Sequence, residues 1–309
     1  MLPCAETTQN VERGAFRNAL AQEGLLIATG VAGVYGRSAA FEDTLLRVDQ
    51  LVQRTGAIDH PDVMRFPPIL PRMTFERSGF LKSFPHLVGT VHSFTGNEHG
   101  HRALLHAAEQ GQDWSEAFAA TDVVLTPAAC YPVYPQLRGT LPPAGRLIDV
   151  MSYCFRHEPS DDVARMQMFR MHEHVKAGDV ETVFDWRAVW LRRIDRFVDA
   201  LGLDAGREAA SDPFFGRGGK LLADSQRDQG LKTEVVVPLA NTDQPTAIIS
   251  LNYHQDHFGQ LYDISAEDGS VAHTSCIGFG LERITLALYR RHGFDRHAWP
   301  AHVRKMLGF

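Results

Sequence analysis

The sequence predicts an α+β fold in which an antiparallel sheet is flanked by helices, and three observations carry that expectation. Residues 153 to 175, YCFRHEPSDDVARMQMFRMHEHV, read as two strands joined by a charged loop. Two β-branched runs, LKTEVVVPL at 231 to 239 and AIISLNYHQDHFG at 247 to 259, supply further strands. Between and around them lie segments of helical spacing. Phe41, Leu45, Val48, Leu51 and Val52 mark a helix over 41 to 54, and Phe184, Val189, Ile194, Phe197 and Leu201 mark another over 181 to 201.

In chain order, a helix is expected over 9 to 22, a strand pair through 24 to 36, and then the helix at 41 to 54. Residues 60 to 72, HPDVMRFPPILPR, form a proline-rich connector. GFLKSFPHLVGTVHSF supplies a short element and a strand with Pro85 between them, and residues 97 to 110 read as helical. Two glycine clusters invite nucleotide-loop readings and fail them. GVAGVYG at 30 to 36 lacks the Gly-x-Gly-x-x-Gly spacing and is assigned to turn chemistry; GRGGKL at 216 to 221 lacks the first glycine and the Ser/Thr of a P-loop and is expected to be a mobile loop.

Composition agrees with a catalytic domain. A chain of 309 residues with 44% apolar and 22% charged residues can bury a full core. It is read as one domain over 1 to 309, with a helix and hairpin region at 1 to 70 packed on a core at 71 to 309. The N-terminus has neither a basic n-region nor an apolar h-region, and the run GLLIATGVAGVYG is too short and glycine-broken to span a bilayer, which needs ~20 apolar residues. A cytoplasmic location and no membrane partner follow as expectations. Net charge is −6, with no basic tail, so a strong electrostatic footprint for nucleic acid is missing.

The chemistry sits in two segments. On a strand, side chains alternate with period two, so Arg156 and Glu158 point one way, as do Phe169, Met171 and Glu173 on the second strand. A guanidinium, two carboxylates and a ring on one surface suit a nucleotide: a fork for phosphate, a ring for the base. An amphipathic hairpin with surface ion pairs accounts for the same pattern when this segment is taken alone. The second segment, CIGFGLERITLALYRR at 276 to 291, opens with Gly278 and Gly280 and runs into a helix whose buried face carries Leu281, Ile284, Thr285 and Leu288. Arg283 lies off that face, in the first turns, where it can meet a ligand on a neighbouring sheet.

Together the two segments resemble motif 2 and motif 3 of the class II aminoacyl-tRNA synthetases. Phe155, Arg156 and Glu158 match the Phe-Arg-x-Glu strand, Phe169 the strand that follows the loop, and Gly278, Gly280, Glu282 and Arg283 the motif 3 entry. The resemblance implies ATP as substrate. It gives Arg156 the α-phosphate, Arg283 the β- and γ-phosphates, Phe169 the adenine, and Glu158 and Arg165 supporting contacts with the nucleotide. It implies a homodimer whose interface carries a motif 1 proline, for which Pro85 is the candidate. Ser250, Asn252 and Asp256 resemble in part the Ser-x-Asn and Asp-Phe region of seryl enzymes. The strand position that normally supplies a magnesium carboxylate is occupied here by Thr246, Ala247 and Ile248. Mg2+ is therefore expected without an assigned ligand, and Lys232 or Glu234 reads either as a phosphate-region residue or as a solvated strand end.

The four cysteines, at 4, 130, 154 and 276, have no close-spaced pair, and spacing alone reads them as buried thiols. The resemblance is closest to the atypical seryl-tRNA synthetases of methanogens and to their shortened relatives, the amino acid:[carrier protein] ligases, which hold an active-site zinc with Cys, Glu and Cys. Cys130, Glu173 and Cys276 fall at those places. Three protein ligands leave zinc one open position, which the amino group of a small amino acid, glycine or alanine in this family, can occupy beside Glu173 and Asn252. Motif 3 ends shortly before residue 309, and no coiled-coil arm precedes the core. As a bare core the chain resembles the ligases most, and that resemblance implies transfer onto the phosphopantetheine thiol of a small acidic carrier protein rather than onto tRNA. The helix around Arg192, Arg193 and Arg196 is a candidate acidic-partner surface or an ordinary solvated face. Seryl-tRNA synthesis, or a silent paralogue acting as a regulator, are the alternatives. Of the fifteen histidines, His172 and His174 alternate with Glu173 and are expected to face away from the site.

Overall fold

A computed structural model of the chain describes residues 5–239 and 245–309; Cys4 lies outside them. Its centre is a seven-stranded sheet built from β1 (Asp62–Arg65), β2 (Arg146–Phe155), β3 (Met168–Gly178), β4 (Gly206–Ala209), β5 (Lys232–Val237), β6 (Thr246–Gln255) and β7 (His273–Gly280). The spatial order is β4-β5-β6-β7-β3-β2-β1. Every neighbouring pair is antiparallel except β1 with β2.

Sequence alternation decides the two faces of this sheet. Val235, Val237, Ile249, Leu251, Ile277 and Phe279 point one way into the main core, where helices Ala39–Ala57, Val180–Ala200 and Leu281–His292 cover them. Trp190 and Ile194 come from the long helix, and Phe41, Leu45 and Val48 from the first. The opposite face carries the polar residues of the same strands, and a smaller cluster around Tyr134, Phe258 and Tyr262 closes one end of it.

Most expected elements are present, with shifted bounds: helices at Ala5–Gln22, Ala39–Ala57, Glu98–Glu109 and Val180–Ala200, and the strand pair as Leu26–Ala28 and Tyr35–Arg37. Three differ. The proline-rich connector contains β1 and a short strand at Ile69–Pro71, because its prolines fall at strand ends, where no ladder N–H is lost. The second β-branched run leaves the sheet at Gln255 and turns into a helix at His257–Tyr262. GRGGKL is helical, part of Arg217–Asp228, rather than a loop: Gly216 turns the chain with φ +80°, and a Cβ at Gly219 would strike the Phe214 carbonyl at 2.5 Å. Pro85 opens a short 3-10 turn, Pro85–Leu87, ahead of the strand Thr90–Phe94.

Candidate active site

Register assembles the floor of the site. Val150, Glu173, Gly278, Ser250 and Glu234 are direct neighbours across five strands. The next row, two residues on, is Ile148, Val175, Cys276, Asn252 and Lys232. From these rows Glu173, Gly278, Ser250, Glu234, Cys276, Asn252 and Lys232 line a cavity of about 620 Å³, together with Arg156, Glu158, Phe169 and Arg283. That volume suits a nucleotide or another drug-sized ligand. Gly278 keeps the floor flat, since a Cβ there would lie 3.2 Å from Met171 Cε and 3.5 Å from Glu173 Cγ.

At one end of the cavity the cations gather. β2 stops at Phe155, so Arg156 and Glu158 are not strand residues as alternation supposed. One more ladder-like bond, from Arg156 N to the Gln167 carbonyl (3.0 Å), still carries Arg156 past the strand end. Its Nε donates to the Pro127 carbonyl at 3.1 Å, and its guanidinium lies 5.5 Å from the centre of the Phe169 ring. Arg165 reaches Glu158 at 3.6 Å. Arg283 donates to the carbonyls of Ala164 (2.8 Å) and Ala247 (2.9 Å), which ties the motif 3 helix to the loop between β2 and β3. Burial, then the charges of Arg156 and Arg165, depress the Arg283 pKa. Three guanidiniums brought this close form a site for a polyanion.

At the other end the acids gather. Cys130 arrives on the irregular segment between Thr126 and Leu137, whose Tyr134 stacks on Phe258 at 3.8 Å. The backbone N–H groups of Ala129 (2.8 Å) and Cys130 (3.3 Å) both donate to Glu173 Oε1. Cys130, Glu173 and Cys276 are buried, and their ligand atoms lie within 4.8 Å of one another. Without a cation this grouping is electrostatically strained: burial, and then the Cys276 charge, push the Glu173 carboxyl up to about 8. Contact with Cys130 pulls the Cys276 thiol well below its usual range, and the same contact raises Cys130. Two thiol sulfurs and one carboxylate, deprived of water, are the donor set that takes up zinc. The structure brings together the three residues that the resemblance named.

Several lining residues gave no signal in the sequence. Asp212 enters from the turn before helix Arg217–Asp228 and holds Lys232 Nζ at 2.6 Å, with Glu234 on the other side at 2.9 Å. Lys232 therefore stands in the cysteine row with its ammonium already paired. His254 Nε2 lies 3.6 Å from Cys276 Sγ, and Asn252 Nδ2 approaches the same sulfur at 3.6 Å. His172 and His174 do face away, as expected. They lie under the helices, where His172 bridges Asp49 (2.6 Å) and Asp149 (3.0 Å). On the basic helix face, Arg193 is taken by Asp59 at 2.7 Å, leaving Arg192 and Arg196 exposed.

Comparison with known proteins decides the family. No family model matches the chain. It is 44% identical over 281 residues to amino acid–[acyl-carrier-protein] ligase 2 of Bradyrhizobium diazoefficiens, covering 90% of this chain and 84% of that protein. The second such ligase of that organism is 43% identical over 289 residues, covering 92% and 87%. The chain belongs to the amino acid–[acyl-carrier-protein] ligase family. The chain is also 27% identical to the type-2 serine–tRNA ligase of Methanopyrus kandleri over 198 residues, 60% of this chain and 37% of the other. Among solved structures, the seryl-tRNA synthetase of M. kandleri, in complex with a tRNA, superposes with a TM-score of 0.80 at 20% identity, over 96% of this chain and 60% of that one. The Pyrococcus horikoshii enzyme complexed with ATP gives 0.70 at 14% identity, over 95% and 62%. The ligase thus has the class II synthetase fold that its two motifs predicted.

Proposed function

We propose that the enzyme activates a small amino acid with ATP as the aminoacyl adenylate and passes the acyl group to the phosphopantetheine thiol of an acidic carrier protein. The observation that carries this reading is the layout of one sheet face, with a guanidinium cluster and an aromatic ring at one end of the cavity and the Cys130, Glu173 and Cys276 donors at the other. A nucleotide triphosphate and an amine-bearing substrate bound to these two ends meet over Gly278 and Ser250.

In the first step a carboxylate oxygen of the amino acid attacks the α-phosphorus of ATP, a P–O bond forms, and pyrophosphate leaves with the electron pair of the broken P–O bond. The nucleophile is already ionised, so alignment rather than a general base supplies the acceleration. Arg156 stabilises charge developing at the α-phosphate, and Arg283 holds the β- and γ-phosphates so that the leaving group departs from a fixed position. Phe169 stacks on adenine, while Glu158 and Arg165 order the loop beside it. We assign Glu234 to the Mg2+ of ATP, since it is the carboxylate paired in register with Ser250 and its charge acts on Arg283. In the second step the carrier thiol attacks the acyl carbon, loses its proton to solvent, and AMP departs.

Cys130, Glu173 and Cys276 would hold zinc, which when bound supplies an electrophilic anchor for the substrate amine. Asn252 and Lys232, in the Cys276 row, then border the amino acid, and we favour glycine or alanine as the side chains that such an anchored amine leaves room for. The acceptor experiment tests the whole reading. Enzyme, ATP, Mg2+ and labelled glycine, alanine or serine are offered a phosphopantetheinylated carrier protein and bulk tRNA side by side. Label on the carrier thiol is the expected result; label on tRNA, or no pyrophosphate exchange with any amino acid, overturns it.

A further inference from the structure

Behind the sheet, reaching the cavity wall only at Glu282, lies a buried charge network that the chemistry above does not use. Arg170 is 5% exposed and Glu282 is 2% exposed. The β3–β7 ladder ends at Met171 and Gly280, and beyond it the Glu282 side chain takes over. Its Oε2 accepts the backbone N–H of Arg170 at 2.7 Å, and its Oε1 accepts Arg170 Nε at 3.0 Å. The two terminal nitrogens of Arg170 go to the two oxygens of Glu42, at 2.7 and 2.8 Å. Arg37 closes the ring, reaching Glu282 at 3.2 Å and the Met168 carbonyl at 3.1 Å.

Two members of this network, Arg170 and Glu282, are adjacent in sequence to residues assigned above to ATP. Phe169 precedes Arg170, and Arg283 follows Glu282. We infer that Arg170 and Glu282, backed by Glu42 and Arg37, are positioning residues that hold the adenine ring platform and the triphosphate arginine in register with each other. The inference rests on the ATP roles proposed above for Phe169 and Arg283. A buried ion pair is weak evidence of stability, because its desolvation offsets its attraction; what a bidentate fork supplies is orientation. Here the forks fix the backbone of β3 to the first turn of helix Leu281–His292.

Two of the four members come from the N-terminal layer, and a third contact of that layer acts the same way. The glycine turn at 30 to 36 accepts Gln167 N at the Gly33 carbonyl (2.8 Å) and Gln167 Nε2 at the Ala32 carbonyl (2.8 Å). Gly33 adopts φ +74°, and a Cβ there would meet the Arg165 carbonyl at 3.1 Å. The turn therefore braces the end of the loop that carries Arg165, and Arg283 grips the same loop at Ala164.

Arg170→Lys keeps the charge and loses the fork. Glu42→Gln is the milder variant, at a side chain 32% exposed, and it preserves folding where the first does not. The Kd for ATP by calorimetry and the KM values in pyrophosphate exchange are read on both, with metal content and cooperative unfolding as controls. Misplacing the two groups by about an ångström weakens ATP binding, so a rise of about tenfold in Kd and KM for ATP is expected, with KM for the amino acid and metal content unchanged. A folded variant of either kind with wild-type Kd for ATP overturns the inference. A wild-type enzyme that binds ATP yet does no exchange instead sinks the proposed function, and the calorimetry still decides the role of Arg170.

Discussion

At the scale of single residues, the informative positions are those whose neighbours make them expensive to keep charged. Glu173 accepts two backbone N–H groups, which favour the carboxylate, yet burial beside Cys276 raises it to about 8. A bound cation reverses that balance, because ligands must be ionised and binding releases their protons. Cys276→Ser exchanges a soft thiolate for an alcohol. It is expected to lose zinc and to lower amino acid activation at least about a hundredfold, while ATP binding persists; metal analysis with pyrophosphate exchange checks both, and a metal-free variant that still makes adenylate counts against the anchor. Of the residues that sequence inspection missed, Asp212 sits in a segment with no motif of its own, while His254 and Arg170 lie inside segments read for other residues, between Asn252 and Asp256 and beside Phe169. Arg170 was the nearest to legible: period-two alternation puts it on the reverse of a strand whose front faces were read, and only contact with Glu42 and Glu282 gives it a purpose.

At the scale of elements, close approach of the helices to the sheet is set by a few small residues. Helix Ala39–Ala57 passes over β3 at Gly56, where an added Cβ would fall 2.2 Å from Cε1 of the buried His174 ring. That ring also stacks on Trp190 of the next helix, with centroids 4.9 Å apart, so it cannot move aside freely. Gly56→Ala gains helix propensity of about 1 kcal/mol but overpacks the core, and a net loss of about 2 kcal/mol is expected in a urea titration. A variant as stable as the parent would show that the helix can slide on the sheet. The connector and GRGGKL were misread at this same scale. A proline or glycine cluster marks a break in regular structure, but its place within or beside an element depends on what packs there, as Phe214 does against Gly219.

At the scale of the whole molecule, buried charge ties distant segments together. Asp149 is 1% exposed and is reached by Arg65 at 2.8 Å and by His172 at 3.0 Å. Burial alone would raise its carboxyl, but His172, His174 and Arg65 outweigh it and lower the pKa from 3.8 to about 2. A carboxyl depressed in the folded state contributes stability above its unfolded pKa and loses it as pH falls through the folded value. The enzyme is therefore expected to lose about 2 kcal/mol from this group between pH 3.8 and about 2. Asp149→Asn should flatten that interval in an acid-unfolding series; an unchanged slope assigns the acid sensitivity elsewhere. Alternation and helical spacing, which are local and periodic, determined the α+β class from the sequence alone, whereas the two motifs, the arginines as candidates and the cysteine–glutamate trio came from resemblance to the class II synthetases and the ligases, spacing having read the cysteines only as buried thiols. Tertiary structure decided which rows of the sheet meet, that Lys232 is paired to Asp212, and that an N-terminal layer grips both motifs from behind. Those facts depend on strand order and on side chains far apart in sequence, and no local pattern encodes which distant charge will lie within 3 Å of another.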